Sequence, residues 1–359
     1  MAIPFVYVQA RGSYRELGRA VGEGARDAIH TSVAFFRDNF CAMTQGRLSF
    51  ADAERLALAY AEEARRWTPL HLEELEGVAE GAGLPLSQLL VPNCAEEFTA
   101  NEAGEGGGDH CTAVAVAAGG RHVIGHNMDW YVVDAPNNVL FDLTVPDGTR
   151  LMGIAGAPYL LMLAMNSHGV GNVSNSVHSN DNRVGVPNVF VRRATLEGAS
   201  LEAARDRGLL AARARGTNHF LADTQGRLWD IETSATASAF MDHSSVGYMA
   251  HTNHYVAAEM APFEAVTYEE SPIRLATAEA ILAEGIARGD DLVELVARAL
   301  RCHDPAPGQA ICGHPDESES PAEQGMTVSS MVCDLDERRI YVCAGPPCEN
   351  PYQMYKMEG

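Results

Sequence analysis

An α+β fold is predicted by three observations on these 359 residues. Residues 13 to 98 repeat apolar positions with helical spacing. After Cys111 the period shortens to two, and short strand-like runs alternate with turn residues. Two further helical stretches interrupt and follow those runs. Hairpins imply antiparallel sheets, and two helical layers can cover two stacked sheets.

In chain order, Leu56, Leu58, Ala59, Tyr60 and Ala64 lie among charged residues in Asp52–Arg66, which predicts a helix ending before Pro69. His71–Ala82 predicts another, stopped by Gly81 and Gly83. Asn101 to Asp109 holds Gly104, Gly106, Gly107 and Gly108 with three acids and no large apolar residue, which predicts an exposed loop. Thr112–Ala117 and His122–Asn127 flank Gly119-Gly120, a hairpin signal. Val139–Val145 and Arg150–Ile154 flank Pro146-Asp147-Gly148, and Leu160–Met165 and Gly169–Val173 flank Asn166-Ser167-His168. Val189–Glu197 and Leu201–Ala214 read as helices carrying Arg192, Arg193 and Arg205 as surface bases. Phe220–Asp223 and Leu228–Glu232 pair around Gln225-Gly226, and Val246–Thr252 is a strand. Residues 271 to 301 form two helices broken at Gly289-Asp290. Val328–Asp334 and Arg339–Cys343 close the chain with a hairpin around Asp336-Glu337.

Hydrophobic content of 46% and charged content of 21% suit a soluble domain with a sizeable core. The formal net charge of −22, from 26 basic and 48 acidic residues, argues against nucleic acid and anionic membrane surfaces. Neutral or cationic small substrates fit it better. Met1 to Ala10 has no basic start and no long apolar stretch, so no secretory signal is expected. No window reaches about 18 uninterrupted apolar residues, so no membrane span is expected. The eight cysteines are scattered without secretory context, which favours free thiols and a cytoplasmic protein.

The run Gly106-Gly107-Gly108-Asp109-His110-Cys111-Thr112-Ala113-Val114 delivers one cysteine from a glycine-rich loop into a strand. Asp129 follows eighteen residues later, within Gly125-His126-Asn127-Met128-Asp129-Trp130. Next come Asn166-Ser167-His168-Gly169-Val170 with Asn175, then His251-Thr252-Asn253-His254, then the hairpin from Met326 to Gly345. Near the start stands Gly12-Ser13-Tyr14-Arg15-Glu16-Leu17-Gly18 with Gly22. Blocks in this order resemble the acyl-coenzyme A:6-aminopenicillanate acyltransferase family of N-terminal nucleophile (Ntn) hydrolases. Choloylglycine hydrolases and penicillin V acylases are more distant relatives. The resemblance implies a four-layer αββα sandwich of two stacked antiparallel sheets. It also implies autocleavage between His110 and Cys111. Residues 1–110 would then be a mostly helical segment and 111–359 the catalytic part of one composite domain. The two fragments are expected to stay associated, and a homo-oligomer is left open.

A cysteine needs activation near neutral pH. An N-terminal cysteine carries its own base, since its α-amine titrates at about 7.7–8.0. That amine is freed only when the His110–Cys111 bond is cut. By resemblance, Asp129 holds the new ammonium, and the Asn253 side-chain amide stabilises the oxyanion with Asn175 as a second donor. His126, Trp130, Tyr131 and Tyr159 are candidates for substrate binding, and Leu160–Met165 could line an apolar acyl pocket. Two departures from the family pattern stand out. His110 replaces a common Gly before the scissile bond, and Gln324 stands where the family has a functional Arg.

The expected activity is hydrolysis of a small-molecule N-acyl amine through a Cys111 thioester, with no cofactor and no metal. Acyl transfer to an amine shares that intermediate and is the alternative. An uncleaved, inactive relative serving as a binding or scaffolding protein is a third reading. Three histidine or cysteine patterns raise the question of a metal, His251 with His254 among them, and none carries it. His122 and His126 share one strand face but sit roughly 13 Å apart. Cys302-His303 and Cys312-Gly313-His314 offer four zinc-type ligands, yet without a C-x2-C knuckle and with Pro305, Pro307 and Pro315 interleaved.

Overall fold

The computed structural model describes residues 5–99, 110–266, 268–306, 308–319 and 324–358. The loop expected over Asn101–Asp109 lies outside the described residues. The chain runs β1 (Val6–Arg11), α1 (Tyr14–Gly24), α2 (Arg26–Met43), α3 (Phe50–Trp67), α4 (Pro69–Ala82), α5 (Leu86–Asn93) and α6 (Ala95–Thr99). Then come β2 (Thr112–Ala118), β3 (Arg121–Tyr131), β4 (Asn138–Thr144), β5 (Arg150–Gly156), β6 (Leu163–Asn166) and β7 (Val170–Val173). After α7 (Asn188–Thr195) and α8 (Leu201–Gly208) follow β8 (Thr217–Asp223), β9 (Leu228–Thr233), β10 (Ser238–Asp242) and β11 (Tyr248–His251). Helices α9 (Glu270–Arg288) and α10 (Leu292–Leu300) precede β12 (Gly325–Asp334), β13 (Arg339–Ala344) and β14 (Gln353–Lys356).

These elements build the four-layer sandwich. One sheet has eight strands in the order β1-β4-β5-β6-β7-β8-β9-β10, and the other six in the order β11-β2-β3-β12-β13-β14. All pairings are antiparallel except that of β1 with β4, which is parallel. Side chains alternate across β2 as a pleated strand requires. Ala113 and Ala115 face the core between the sheets with Ile124, while Val114, Val116 and Val123 pack on Ala278, Leu282, Leu295 and Val296 of α9 and α10. The sheets approach closely at Gly171, where a Cβ would lie 2.6 Å from Ile124 Cγ2. Leu201 and Ala204 of α8 cover Val170, Leu221 and Ile231 on the outer face of the larger sheet.

The N-terminal helices belong to the same core. Capping boxes open α1 (Ser13 with Glu16) and α3 (Ser49 with Asp52), as the sequence spacing allows. Helices α1 and α4 touch backbone to backbone. A Cβ on Gly18 would lie 1.8 Å from the Glu74 carbonyl oxygen, and one on Gly77 would lie 2.3 Å from that of Arg15. Gly18 and Gly22 are therefore a helix-crossing device. Among the described residues, no helix is long and apolar enough to cross a membrane.

Three sequence expectations need correcting. Arg192 and Arg193 are buried rather than surface bases, because α7 is covered on both sides. Arg193 pairs with Glu74 at 2.9 Å and Glu197 at 2.8 Å, and Arg192 pairs with Glu96 at 2.5 Å. The helix expected over Leu201–Ala214 stops at Gly208, where a Cβ would meet the His219 ring at 2.9 Å. Strands β1, β10 and β14 were not anticipated; β1 and β10 are the two edges of the larger sheet, and β14 an edge of the smaller.

If the α1–α4 contact is as close as this, Gly18→Val must push the helices apart. The variant should lose about 3 kcal/mol of unfolding free energy, read as a lower urea midpoint at unchanged slope. A midpoint equal to that of the unaltered protein would contradict the close crossing.

Candidate active site

Cys111 is buried at the head of β2, an inner strand of the six-stranded sheet. The β2–β3 register pairs Thr112 with Asn127. One residue further, Cys111 falls beside Met128, and its Sγ lies 3.9 Å from Met128 Sδ and 3.9 Å from the Asp129 carbonyl oxygen. The thiol opens on a narrow cavity of about 50 Å³ that is partly open to solvent. Its walls include Pro92, Met128, Trp130, Tyr159, Met162 and Val189, with Asp129, Ser174, Ser176 and the Arg192–Glu96 pair as polar points. Trp130 and Tyr159 meet edge to face at 6.4 Å between ring centres.

Asp129 is fully buried at the end of β3. Its Oδ1 accepts a hydrogen bond from Thr327 Oγ1 at 2.7 Å. Burial raises its carboxyl to about 6, against the lowering effects of Thr327, Arg274 and His110. It titrates within reach of neutral pH because the protein, rather than water, surrounds it.

The feature that sequence reasoning missed is Arg274 on α9. Its guanidinium is buried and forks across the proposed cleavage point. Nη1 donates to the carbonyl oxygen of His110 at 2.7 Å, to that of Cys111 at 2.8 Å and to Thr112 Oγ1 at 3.0 Å. Nη2 donates to Asn253 Oδ1 at 3.0 Å. A signal was available: Arg274 falls on the buried stripe Ser271, Arg274, Ala278, Leu282, Gly285, where an arginine has no solvent-facing reason to be. Gln324 occupies no comparable place; its Nε2 donates to the carbonyl oxygens of Asp316 and Glu319.

The remaining candidates separate into two groups. Asn253 belongs with Arg274, which fixes its carbonyl end while its Nδ2 donates to Ser176 O at 3.1 Å. One amide hydrogen of Asn253 is left beyond that bond. Asn175 is occupied at both ends: Oδ1 accepts from His126 Nε2 at 3.0 Å, and Nδ2 donates to His251 O at 2.9 Å. His126 also donates to Ser174 O at 3.1 Å, and burial lowers its ring to about 4, so it stays neutral. His126 and Asn175 thus stand behind the cavity wall formed by Ser174 and Ser176. Tyr131 turns towards α2, with its ring 5.6 Å from Phe35. Cys111, Asp129, Trp130 and Tyr159 share the cavity; His126, Tyr131, Asn175 and Asn253 do not line it. His110 is held by Glu270, its Nδ1 being 2.9 Å from Glu270 Oε1.

Residues 116–347 match the family of acyl-coenzyme A:6-aminopenicillanic acid acyl-transferases, and the chain belongs to that family. It is 24% identical over 252 residues to the 40 kDa form of the acyl-coenzyme A:6-aminopenicillanic-acid-acyltransferase of Emericella nidulans, covering 69% of each chain. Among solved structures, penicillin V acylase from Agrobacterium tumefaciens overlaps with 14% identity and a TM-score of 0.48, over 65% of this chain and 82% of that one. A mutant conjugated bile acid hydrolase from Clostridium perfringens overlaps with 11% identity and a TM-score of 0.44, over 69% of this chain and 97% of that one.

The raised carboxyl of Asp129 has a consequence for stability. A carboxyl raised by folding favours the folded chain in its protonated form. That contribution is complete below the ordinary Asp value of about 3.9 and is lost as pH rises through about 6. Asp129→Asn, which keeps an acceptor for Thr327, should therefore gain stability on the unaltered protein from about pH 4 upwards and level off above about pH 7. Urea unfolding across that range tests it, and a difference that does not change with pH contradicts it.

Proposed function

We propose that this protein cuts its own His110–Cys111 bond and then hydrolyses the amide of an N-acyl amine through a thioester on Cys111. The observation that carries the reading is the Arg274 fork, which donates to the carbonyl of the scissile peptide beside the only cysteine lining the cavity among the described residues. A cation aimed at that oxygen stabilises the negative charge that develops when Sγ attacks the His110 carbonyl carbon.

In the first reaction Sγ adds to that carbon, the C–N bond to Cys111 breaks, and the nitrogen leaves as an amine that has gained a proton. His110 is then held as a thioester. Water hydrolyses it, giving a carboxylate on His110 and returning the thiol. The helical segment up to His110 and the catalytic part from Cys111 become two polypeptides. Shared burial of residues from both supports their staying together.

In the second reaction the freed α-amine accepts the thiol proton and Sγ attacks the substrate carbonyl. The leaving amine takes a proton from the Cys111 ammonium, and water releases the acid. Asp129 stabilises the ammonium, and the oxyanion falls to Arg274, which contacts the Cys111 backbone and is tied through Nη2 to Asn253. The largely apolar cavity suits an apolar acyl group, with Trp130, Tyr159 and Met162 in contact with it. Hydrolysis is preferred over transfer because water suffices as the acceptor. An amine acceptor that diverts acyl product away from free acid would shift the reading to transfer.

Intact mass of the purified protein should show two chains divided between residues 110 and 111, and Cys111→Ala should remain one chain. Release of amine from N-acyl substrates should be absent in that variant. Unaltered protein that is active while still a single chain would sink the proposal. Arg274→Met should slow self-cleavage by roughly a hundredfold or more, the usual loss for one oxyanion donor. Arg274→Lys should fall between, because a lysine cannot span both carbonyls and Asn253. Time courses by mass spectrometry, on variants with native circular dichroism, give the comparison.

A further inference from the structure

Away from the cavity, three separate segments bring four side chains to one point. His303 follows α10, Cys312 and His314 lie on the loop leading towards β12, and Cys348 lies between β13 and β14. One ligand atom from each lies within 4.8 Å of all the others. The two sulfurs are 3.5 Å apart, and the two imidazole Nε2 atoms are 3.1 Å apart. His314 Nε2 is 3.2 Å from Cys348 Sγ and 3.9 Å from Cys312 Sγ.

Four of the six separations match the edges of a small tetrahedron, and the two from His303 to the sulfurs are no longer than 4.8 Å. Bonds of about 2.3 Å to sulfur and about 2.0–2.1 Å to nitrogen require edges of about 3.8 Å (S–S), about 3.5 Å (S–N) and about 3.3 Å (N–N). All four measured separations fall within about 0.4 Å of those values. The outer nitrogen of one ligand is also provided for. His314 Nδ1 lies 3.6 Å from Glu349 Oε1, the side on which metal-bound histidines usually meet a carboxylate.

We propose that His303, Cys312, His314 and Cys348 bind one zinc ion as a closed Cys2His2 site. Two thiols give up their protons to the solvent on coordination, and both histidines bind as neutral rings. With four protein ligands the ion has no open position for water or substrate, so its role is structural. The sequence pairs Cys302 with His303, but the fold takes Cys348 instead. Cys302 Sγ accepts from the Asp304 backbone N–H at 3.4 Å and is outside the cluster.

What the ion would hold is the loop behind Asp129. Gly313, between two of the ligands, donates from its N–H to Thr327 Oγ1 at 2.9 Å and accepts from Thr327 N–H at 3.1 Å. Thr327 Oγ1 in turn donates to Asp129 Oδ1. Next to Cys312, the Ile311 carbonyl accepts from Asn127 Nδ2 at 3.0 Å. Metal loss would release the loop that braces the Thr327–Asp129 bond.

The proposal does not depend on the self-cleaving amidase reading, since it can be measured on the Cys111→Ala chain. Protein produced with zinc in the medium and purified without chelator should contain one zinc per chain by elemental analysis. Metal-free protein given Co2+ should show the intense visible bands of a tetrahedral, thiolate-bound ion. Cys348→Ser and the surface variant His303→Asn should each lose the metal and lower the thermal midpoint, whereas Cys302→Ser should keep both. His303→Asn, at an exposed position, covers the case in which Cys348→Ser fails to fold. Absence of zinc together with no Co2+ spectrum would overturn the site, as would a Cys312–Cys348 disulfide in freshly isolated protein, or loss of metal from Cys302→Ser.

Discussion

The buried guanidinium of Arg274 is the constraint around which the site is organised. Removing such a group from water costs several kcal/mol unless its donors are matched. Here burial lowers its pKa, while the charges of Asp129 and Glu270 oppose that effect. Its donors reach two backbone carbonyls at the head of β2, one hydroxyl and the side chain of Asn253. One residue of α9 thereby fixes the chain on both sides of the His110–Cys111 bond relative to the segment after β11. A single lysine nitrogen could not serve both the head of β2 and Asn253; the planar fork reaches both through Nη1 and Nη2.

Similar pairing explains how the N-terminal helices are locked to the sheets. Arg193 on α7 reaches Glu74 on α4 and Glu197 just beyond its own helix. Burial alone would keep Glu197 protonated, but Arg193 and His71 hold it far below the ordinary glutamate range. Arg192 pairs in turn with Glu96, next to the cavity. Each cation sits among groups that cannot be solvated elsewhere without leaving a buried charge unmatched, so separation of the helical segment from the sheets is strongly opposed. The backbone contact of α1 with α4 adds a steric register to this electrostatic one.

Which parts could be read from the sequence follows from where the deciding interactions lie. The β2–β3 hairpin was legible because Gly119 and Gly120 both take positive φ, a local requirement that only certain residues meet comfortably. The four-layer arrangement was legible from the alternation of helical and strand-like runs together with the family resemblance. The edge strand β10 was not: three of its five residues are exposed, none is fully buried, and only pairing with β9 defines it. Arg192 and Arg193 were misplaced because adjacent arginines normally read as a solvated face. Two of their partners, Glu74 and Glu96, lie on distant elements, and only Glu197, four residues from Arg193, is local. Cys111 and Asp129 stood out through the family resemblance, and the fold brings both to one cavity, whereas Arg274 lies 163 residues from Cys111 and is tied to it only by the fold.

The position of Arg274 also bears on why one site could serve two reactions. Attack on a peptide carbonyl and attack on a substrate amide build the same kind of oxyanion, at the same distance from the same sulfur. Before cleavage, the donor at Nη1 is satisfied by the His110 carbonyl. In the proposed mechanism, departure of His110 would leave Nη1 bonded to the Cys111 carbonyl and to Thr112 Oγ1, so the cation stays fixed beside the thiol. On that reading a substrate carbonyl reaching Cys111 past Trp130 and Tyr159 would develop its charge on the side of the thiol that Arg274 braces. On the proposed mechanism the apolar walls would place the acyl chain, and the arginine proposed to aid the first cut would favour the charge of the second.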